Sequence, residues 1–222
     1  MRALLATLLV AGAAAHAHDA GPYPPPLFTP PAAGTYALPP IQPAPRGMVL
    51  DSSGRAHALD TLFTGRITLL GLVYTRCADA DGCPRATWAF SAVRSRVRED
   101  PALAARVQFA TLSFDPAHDT PAVMAAYARD VGGARGSPRW WFLTTRGHDA
   151  LRPMLEALGQ DLRVPADGSA APGTEEFTHT LKVFLVDPQR RVREIYSGAW
   201  LAPQMIVNDL RTLAAERATR TR

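Results

Sequence analysis

Apolar runs of strand length recur along the chain and predict a buried sheet. Residues 67–74 (ITLLGLVY) are almost without polar side chains, which is typical of a central strand covered on both faces. Residues 107–114 (VQFATLSF) predict a second buried strand. The apolar segments 181–186 and 192–196 flank a turn-forming segment at 187–190, and together they predict an antiparallel hairpin.

Segments with helical spacing lie between these strands. Thr120 precedes Pro121 and provides an N-cap ahead of a proline at a helix start, whereas Gly159 marks a helix end. Helices are predicted at residues 84–98, 121–130, 149–158 and 203 to about 217. Residues 48–50 and 57–59 predict a small hairpin. The order is approximately β-α-β-α-β-α-β-β-α, with no bounds set for the third strand, and it indicates an α/β or α+β arrangement.

The amino-terminal pattern is typical of a secretory signal peptide. Met1 and Arg2 precede an apolar run at residues 3–15, and the segment Ala15-His16-Ala17 places small residues at the first and third positions before the expected cleavage site. The run has roughly 13 residues, fewer than the ~20 that cross a bilayer as a stable helix. We therefore expect residues 1–17 to be a signal peptide that directs the protein to the periplasm. An uncleaved anchor, which would hold the protein near the membrane, is the alternative.

The following segment, residues 18–46, is rich in proline. It contains ten of the 20 prolines of the chain. Because proline lacks an N–H donor and has a restricted φ, a helix or a central strand is excluded here. We expect an extended, semi-rigid segment that can lie along the domain surface. It leads into one domain at residues 47–217, and residues 218–222 form a short tail.

Composition excludes several classes of protein. A chain of 222 residues with 47% hydrophobic and 20% charged residues is typical of one soluble globular domain with appendages. The net charge of +4 arises from scattered arginines rather than from a basic cluster, so no nucleic-acid partner is expected. We expect a monomer.

The two cysteines, Cys77 and Cys83, provide the candidate chemistry. They lie between the first buried strand and a helix predicted to begin at Pro84. Cys83 is predicted to be the N-cap of that helix, where free N–H groups and the helix dipole would lower the pKa of its thiol. Five residues separate the cysteines and include Gly82, so the loop can turn back and bring both sulfurs together.

Three interpretations of this pair remain open from the spacing alone: a stabilising disulfide, a redox-active couple and a metal site. Two thiolates suit Cu(I), but a third ligand would have to come from elsewhere in the chain. The candidates are His57, His118, His148 and His179. Of these, His179 lies just before the strand predicted at 181–186 and can face the start of the first helix.

Three separated motifs resemble the Sco/SenC family in the same order. LVYTRC at 72–77, followed by Gly82-Cys83-Pro84, is similar to its strand and copper loop. DPAHDTP at 115–121 resembles its Asp-Pro-x-x-Asp-Thr-Pro segment, and FTHT at 177–180, leading into FLVD at 184–187, resembles its copper-histidine segment. The resemblance implies a thioredoxin-like α/β fold, with a central mixed sheet flanked by helices and an N-terminal hairpin extension.

The resemblance also implies the site and its cargo. It assigns copper binding to Cys77, Cys83 and His179. Asp115 is expected to lie outside the ligand set and to help position the ligands. Two positions depart from the family pattern. Five residues separate the cysteines where the family commonly has three. His118 stands where the family often has Arg or Lys, which makes it a candidate auxiliary ligand.

The family resemblance favours a metallochaperone over an enzyme. Such a protein would pass copper by ligand exchange to a cuproprotein, with a cytochrome c oxidase subunit as the expected acceptor. One alternative is a thiol-disulfide oxidoreductase that reduces partner cysteines before metallation. The segment 176–180 has no proline where thioredoxin-type enzymes place a cis-proline, which favours metal binding over general redox catalysis. A copper or redox sensor without catalytic activity is the third hypothesis.

Overall fold

Within the described part of the chain there are eight strands, six α-helices and a short 3-10 helix at Gly198–Trp200. The computed structural model describes residue 23 and residues 26–77, 79–160 and 181–220. The strands are β1 (Gln42–Pro43), β2 (Met48–Asp51), β3 (Ala56–Ala58), β4 (Ile67–Val73), β5 (Val107–Ser113), β6 (Trp140–Thr144), β7 (Lys182–Val186) and β8 (Arg191–Ser197). The helices are α1 (Leu59–Phe63), α2 (Cys83–Arg98), α3 (Pro101–Ala104), α4 (Pro121–Asp130), α5 (His148–Ala157) and α6 (Pro203–Arg220).

All eight strands form one mixed sheet in the order β1-β8-β7-β4-β5-β6-β2-β3. Strands β4, β5 and β6 are parallel, whereas the other neighbouring pairs are antiparallel. The predicted mixed sheet flanked by helices is confirmed. The N-terminal hairpin is also confirmed, since β2 and β3 pair with each other and β2 joins the edge of β6.

Strand β4 lies at the centre of two hydrophobic cores. Its side chains alternate between them: Ile67 and Leu69 pack with α2, α3, α4 and α6, while Leu70 and Leu72 pack with α1 and α5. A Cβ at Gly71 would lie only 2.9 Å from a ring carbon of Phe90, so the glycine allows α2 to pack closely against the strand. This contact helps to set the position at which α2 begins.

Most predicted elements are present with small changes of boundary. The hairpin of β7 and β8 and the helix α4 are confirmed, and the Thr120 hydroxyl accepts the backbone N–H of Val123 as the predicted N-cap. The third strand of the expected order is β6. Helix α6 continues to Arg220 rather than ending near Arg217, and the short helices α1 and α3 were not predicted.

The proline-rich segment packs along α6 and then joins the sheet. We call residues 26–41 the N-terminal strap. The carbonyl of Pro31 accepts a hydrogen bond from Asn208 at 2.7 Å, and the backbone N–H of Gly34 donates to Thr212 at 2.9 Å. The strap continues into β1, which pairs only with β8 at the edge of the sheet. An edge strand tolerates Pro43 because one side of it needs no ladder partner.

No helix within the described ranges is long and apolar enough to cross a membrane. The apolar run at residues 3–15, for which a signal peptide is predicted, lies outside those ranges.

A buried carboxyl group connects the strap to the core. Asp209 on α6 accepts hydrogen bonds from the hydroxyls of Tyr36 in the strap and Tyr196 in β8. Burial raises the pKa of Asp209. Burial also raises the pKa of Glu194, and the nearby charge of Asp209 acts in the same direction. Ionisation of the Asp209 carboxyl group in the folded protein is therefore unfavourable.

We expect Asp209→Asn to change the pH dependence of stability. An unfolded Asp ionises at about pH 4, whereas the folded carboxyl keeps its proton to higher pH. The unfolded state then binds fewer protons, so the wild-type protein loses stability as pH rises from about 4 through the folded pKa. The variant lacks this contribution and should lose less stability over that interval. Urea midpoints measured at several pH values check this, and parallel curves for the two proteins would contradict it.

Candidate metal centre

The two cysteines mark the ends of one loop at the sheet edge where β4 ends. We call residues 77–83 the cysteine loop. Cys77 is partly exposed, whereas Cys83, the first residue of α2, is only 2% exposed. The loop is therefore held between a strand buried on both faces and a helix packed on that strand. Solvent therefore reaches Cys77 more readily than Cys83.

The fold brings the two thiols together. Cys77 lies close enough to Cys83 to raise the pKa of its thiol, and neither cysteine is paired in a disulfide. A Cβ at Gly82 would lie 3.3 Å from the sulfur of Cys77 and 3.1 Å from a carboxylate oxygen of Asp79. The glycine thus leaves room for the Cys77 side chain to fold back against the loop. This placement agrees with the expectation that the five-residue spacing lets the sulfurs meet.

The predictions for the helix start and for the acidity of Cys83 are wrong. Gly82 is the N-cap of α2, Cys83 is its first residue and Pro84 its second. Burial raises the pKa of the Cys83 thiol above its ordinary value, and the adjacent Cys77 acts in the same direction. A backbone hydrogen bond with Tyr74 lowers that pKa but does not compensate. Loss of hydration is the largest of the effects on this pKa.

The DPAHDTP segment holds the residues that lead into the cysteine loop. Asp115 is 1% exposed, and its carboxylate accepts a hydrogen bond from the guanidinium of Arg76 at 2.7 Å. Arg76 directly precedes Cys77. The sequence resemblance implies a supporting role for Asp115. Through this ion pair, Asp115 can hold Arg76 and so restrict the backbone next to Cys77.

Asp119 makes a second and denser set of bonds from the same segment. Its carboxylate accepts from the backbone N–H of Thr75 at 3.0 Å, from the Thr75 hydroxyl at 2.5 Å and from the Ser113 hydroxyl at 2.6 Å. Ser113 ends β5 and Thr75 follows β4, so one buried carboxylate connects the ends of two parallel strands. Asp119 was not among the predicted site residues, although its place in the DPAHDTP motif was a usable signal.

A threonine and a tyrosine also lie beside the cysteines. The Thr87 hydroxyl donates to the backbone carbonyl of Cys83 at 2.9 Å and lies 2.6 Å from the hydroxyl of Tyr127 on α4. Burial raises the pKa of Tyr127 to about 12, and the charges of Cys83, Asp119 and Cys77 act in the same direction. The hydroxyl therefore stays protonated. Tyr127 was not among the residues predicted for the site, since no local signal shows which strand or loop a helix will face.

The structure resolves the positions of three of the four candidate histidines. His57 lies in β3 with its ring nitrogen 2.7 Å from Asp51. His148 is the first residue of α5. The Nδ1 atom of His118 lies 3.0 Å from a carboxylate oxygen of Asp119, so this histidine belongs to the hydrogen-bond network of the DPAHDTP segment. His179, the predicted third ligand, lies outside the described residues.

The donor set that the structure does describe is soft and incomplete. Among the described residues, no group of three or more His, Cys, Asp or Glu side chains is arranged to hold a metal ion. The adjacent sulfurs of Cys77 and Cys83 fit a soft ion such as Cu(I), which prefers thiolates. A further donor would have to come from outside the described ranges or from a partner.

The two thiols should differ in reactivity. We expect iodoacetamide to modify Cys77 at least about ten times faster than Cys83, because Cys83 is buried and its thiolate is disfavoured. Alkylation of the reduced protein near neutral pH, followed by peptide mass spectrometry, measures both rates. The urea-unfolded protein is the control and should show similar rates. Faster modification of Cys83 in the folded protein would contradict this arrangement.

Comparison with known proteins gives the family. The family model described as SCO1/SenC matches residues 49–215. No curated protein matches the sequence. In structure, the chain is similar to the apo Sco1 protein from Thermus thermophilus, with 25% identity and a TM-score of 0.65 over 82% of this chain and 98% of that one.

Two further solved structures share the fold. ScoI from Bradyrhizobium japonicum, which was solved with copper bound, has 23% identity and a TM-score of 0.60, and the match covers 77% of this chain and 98% of that one. BsSco, a member of the Sco family of cytochrome c oxidase assembly proteins with a disulfide switch, has 18% identity and a TM-score of 0.60, covering 80% and 96%. The thioredoxin-like fold and the family expected from the motifs are confirmed. Because the family model extends from the β2–β3 hairpin into α6, this chain belongs to the SCO1/SenC family.

Proposed function

We propose that this protein is a copper metallochaperone that binds copper through Cys77, Cys83 and His179 and delivers it to a subunit of cytochrome c oxidase. The observation that carries the proposal is the proximity of the two cysteines in an SCO1/SenC fold: a Cβ at Gly82, the residue before Cys83, would lie 3.3 Å from the sulfur of Cys77. ScoI of Bradyrhizobium japonicum with copper bound, and BsSco as a member of a family of cytochrome c oxidase assembly proteins, support it.

The environment of Cys83 suits a site that is charged only when metal is present. A thiol must lose its proton to become a strong copper ligand. Burial opposes that loss in the metal-free protein, as the raised pKa of Cys83 indicates. The positive charge of a bound ion offsets this cost, so binding and deprotonation occur together. The pair then supplies two thiolates to Cu(I).

The sheet topology supports His179 as the third ligand. Strands β4 and β7 are antiparallel, with Gly71 paired to Val183, so the chain enters β7 at the edge where β4 ends. His179 precedes Lys182, the first residue of β7, by three residues, a span of at most about 11 Å. The start of β7 lies beside the end of β4, from which the cysteine loop follows, so this short connection supports His179 as the third ligand.

Transfer by ligand exchange fits the unequal exposure of the two cysteines. An acceptor thiolate can approach at Cys77, which is partly exposed, while the buried Cys83 remains bound. The bonds from Asp115 and Asp119 hold Arg76 and Thr75 during this exchange. We therefore expect Cys77 to be the first ligand that the acceptor replaces.

The proposal predicts the stoichiometry and the ligands of copper binding. The reduced protein should bind about one Cu(I), and His179→Ala should weaken binding at least about a hundredfold, because one of three ligands is lost. An anaerobic competition titration with a Cu(I) chelator measures both values. X-ray absorption should show two sulfur ligands and one nitrogen ligand in the wild type.

His57→Asn is the matched control. His57 lies in β3 at the far edge of the sheet, with β5, β6 and β2 between that strand and β4, so this variant should keep the wild-type affinity. Unchanged affinity in His179→Ala would contradict the proposed ligand set. Absence of Cu(I) binding by the wild type would contradict the proposed function.

A thiol-disulfide oxidoreductase is the second candidate, because a partly exposed cysteine beside a buried one is also the arrangement of an attacking and a resolving thiol. In this function the exposed Cys77 would attack a partner disulfide, and Cys83 would then resolve the mixed disulfide. Reduction of one acceptor disulfide to two thiols by each molecule of reduced, copper-free protein, with formation of a Cys77–Cys83 disulfide of strongly reducing potential, would favour this reaction. Failure to reduce that disulfide would leave copper delivery as the better account.

We also propose a periplasmic location, on the basis of the signal-like residues 1–17. Expression of the full chain in a bacterial host should yield periplasmic protein that begins at His18. Mass spectrometry of the purified protein measures this end. Retention of residues 3–15 in a membrane fraction would instead support the uncleaved anchor.

A further inference from the structure

Tyr23 contacts the cysteine loop from a distant part of the sequence. Its hydroxyl donates a hydrogen bond of 2.6 Å to the backbone carbonyl of Ala80, across a separation of 57 residues. Its ring lies 5.2 Å from the ring of Trp88 on α2. The phenol therefore bridges the middle of the loop and the helix that follows it.

Arg85 adds a second connection between this tyrosine and the loop. Its guanidinium lies 5.2 Å from the centroid of the Tyr23 ring, and it also pairs with the Asp81 carboxylate at 3.2 Å. A cation in this position is attracted to the face of an aromatic ring. Burial and the charges of Asp81 and Asp79 raise the pKa of Tyr23, so the hydroxyl remains protonated and able to donate.

The loop has mostly local hydrogen bonds of its own. The backbone N–H groups of Asp81 and Gly82 both donate to Asp79, at 3.0 Å in each case. These bonds and the Arg85–Asp81 pair join residues at most four positions apart, so they do not tie the loop to a distant part of the domain. The bond from Tyr23 does so, because the segment after it is attached elsewhere: Phe28 stacks on Trp200 at 4.7 Å, and the strap is bonded to α6.

We propose that Tyr23 is a positioning residue that holds the cysteine loop against α2 and thereby slows the exchange of copper at Cys77 and Cys83. The role in exchange rests on the proposed copper binding, whereas the hold on the loop does not. The loop has two more residues than the family commonly has, and each added residue increases the conformational freedom that a bound loop must lose. Tyr23 restricts this freedom before any metal arrives.

Two variants separate the parts of this contact. Tyr23→Phe keeps the ring but removes the hydrogen bond to Ala80, and Tyr23→Ala removes both. Tyr36→Phe is the matched control, since it removes the hydrogen bond of a strap tyrosine to Asp209 on α6 and leaves the loop contacts intact. Tyr23 is only partly buried and lies at the edge of the structure, so its variants should fold.

The first measurement uses reduced, copper-free protein and hydrogen exchange. We expect the amides of Asp81 and Gly82 to exchange about threefold faster in Tyr23→Phe and about tenfold or more faster in Tyr23→Ala. Amides of β4 should exchange as in the wild type in both variants. Unchanged loop exchange in Tyr23→Ala, or an equal increase in Tyr36→Phe, would overturn the assignment of the hold to Tyr23.

The second measurement is the rate of Cu(I) release to an excess of a strong chelator. It should rise in the same order, with Tyr23→Ala fastest and Tyr36→Phe at the wild-type rate. Faster loop exchange with an unchanged release rate would overturn the role of Tyr23 in copper exchange. If the wild type binds no Cu(I), the proposed function fails, while hydrogen exchange still decides whether Tyr23 holds the loop.

Discussion

The pairing of β4 on both sides is the constraint on which the candidate site depends. Seven residues of β4 pair with β5 in parallel register, and four pair with β7 in antiparallel register. The end of β4, the end of β5 and the start of β7 therefore lie at one edge of the sheet. Each of the three family motifs adjoins one of these strand ends, so the sheet brings together segments that are far apart in sequence.

Two buried carboxylates hold the residues that connect β4 to the cysteine loop. Asp119 bonds to Thr75 and Ser113, and Asp115 bonds to Arg76. Charged acceptors that are removed from water form strong bonds with such donors, and leaving those donors unpaired would be costly. The chain before Cys77 is thus held from within the domain. The chain after it is held by local bonds and by Tyr23 from outside.

The two cysteines combine proximity with different environments. Burial favours the protonated thiol at Cys83, whereas Cys77 remains partly open to solvent. A pair of this kind disfavours two thiolates in the absence of a cation and leaves one sulfur open to an incoming ligand. The same asymmetry suits copper transfer and thiol exchange, which is why the two candidate functions are separated by measurement of copper affinity and of disulfide turnover.

The sequence by itself determined the fold class, the main strands and the loop that carries the cysteines, because these depend on local apolar patterns and on motifs within short segments. It also singled out Asp115. Only the tertiary structure decided that Cys83 follows the N-cap and is buried with a raised pKa, since the loss of hydration depends on α2 packing against β4. The contacts of Tyr23, Asp119 and Tyr127 likewise join residues far apart in sequence, and no local pattern specifies which distant surface a side chain will meet.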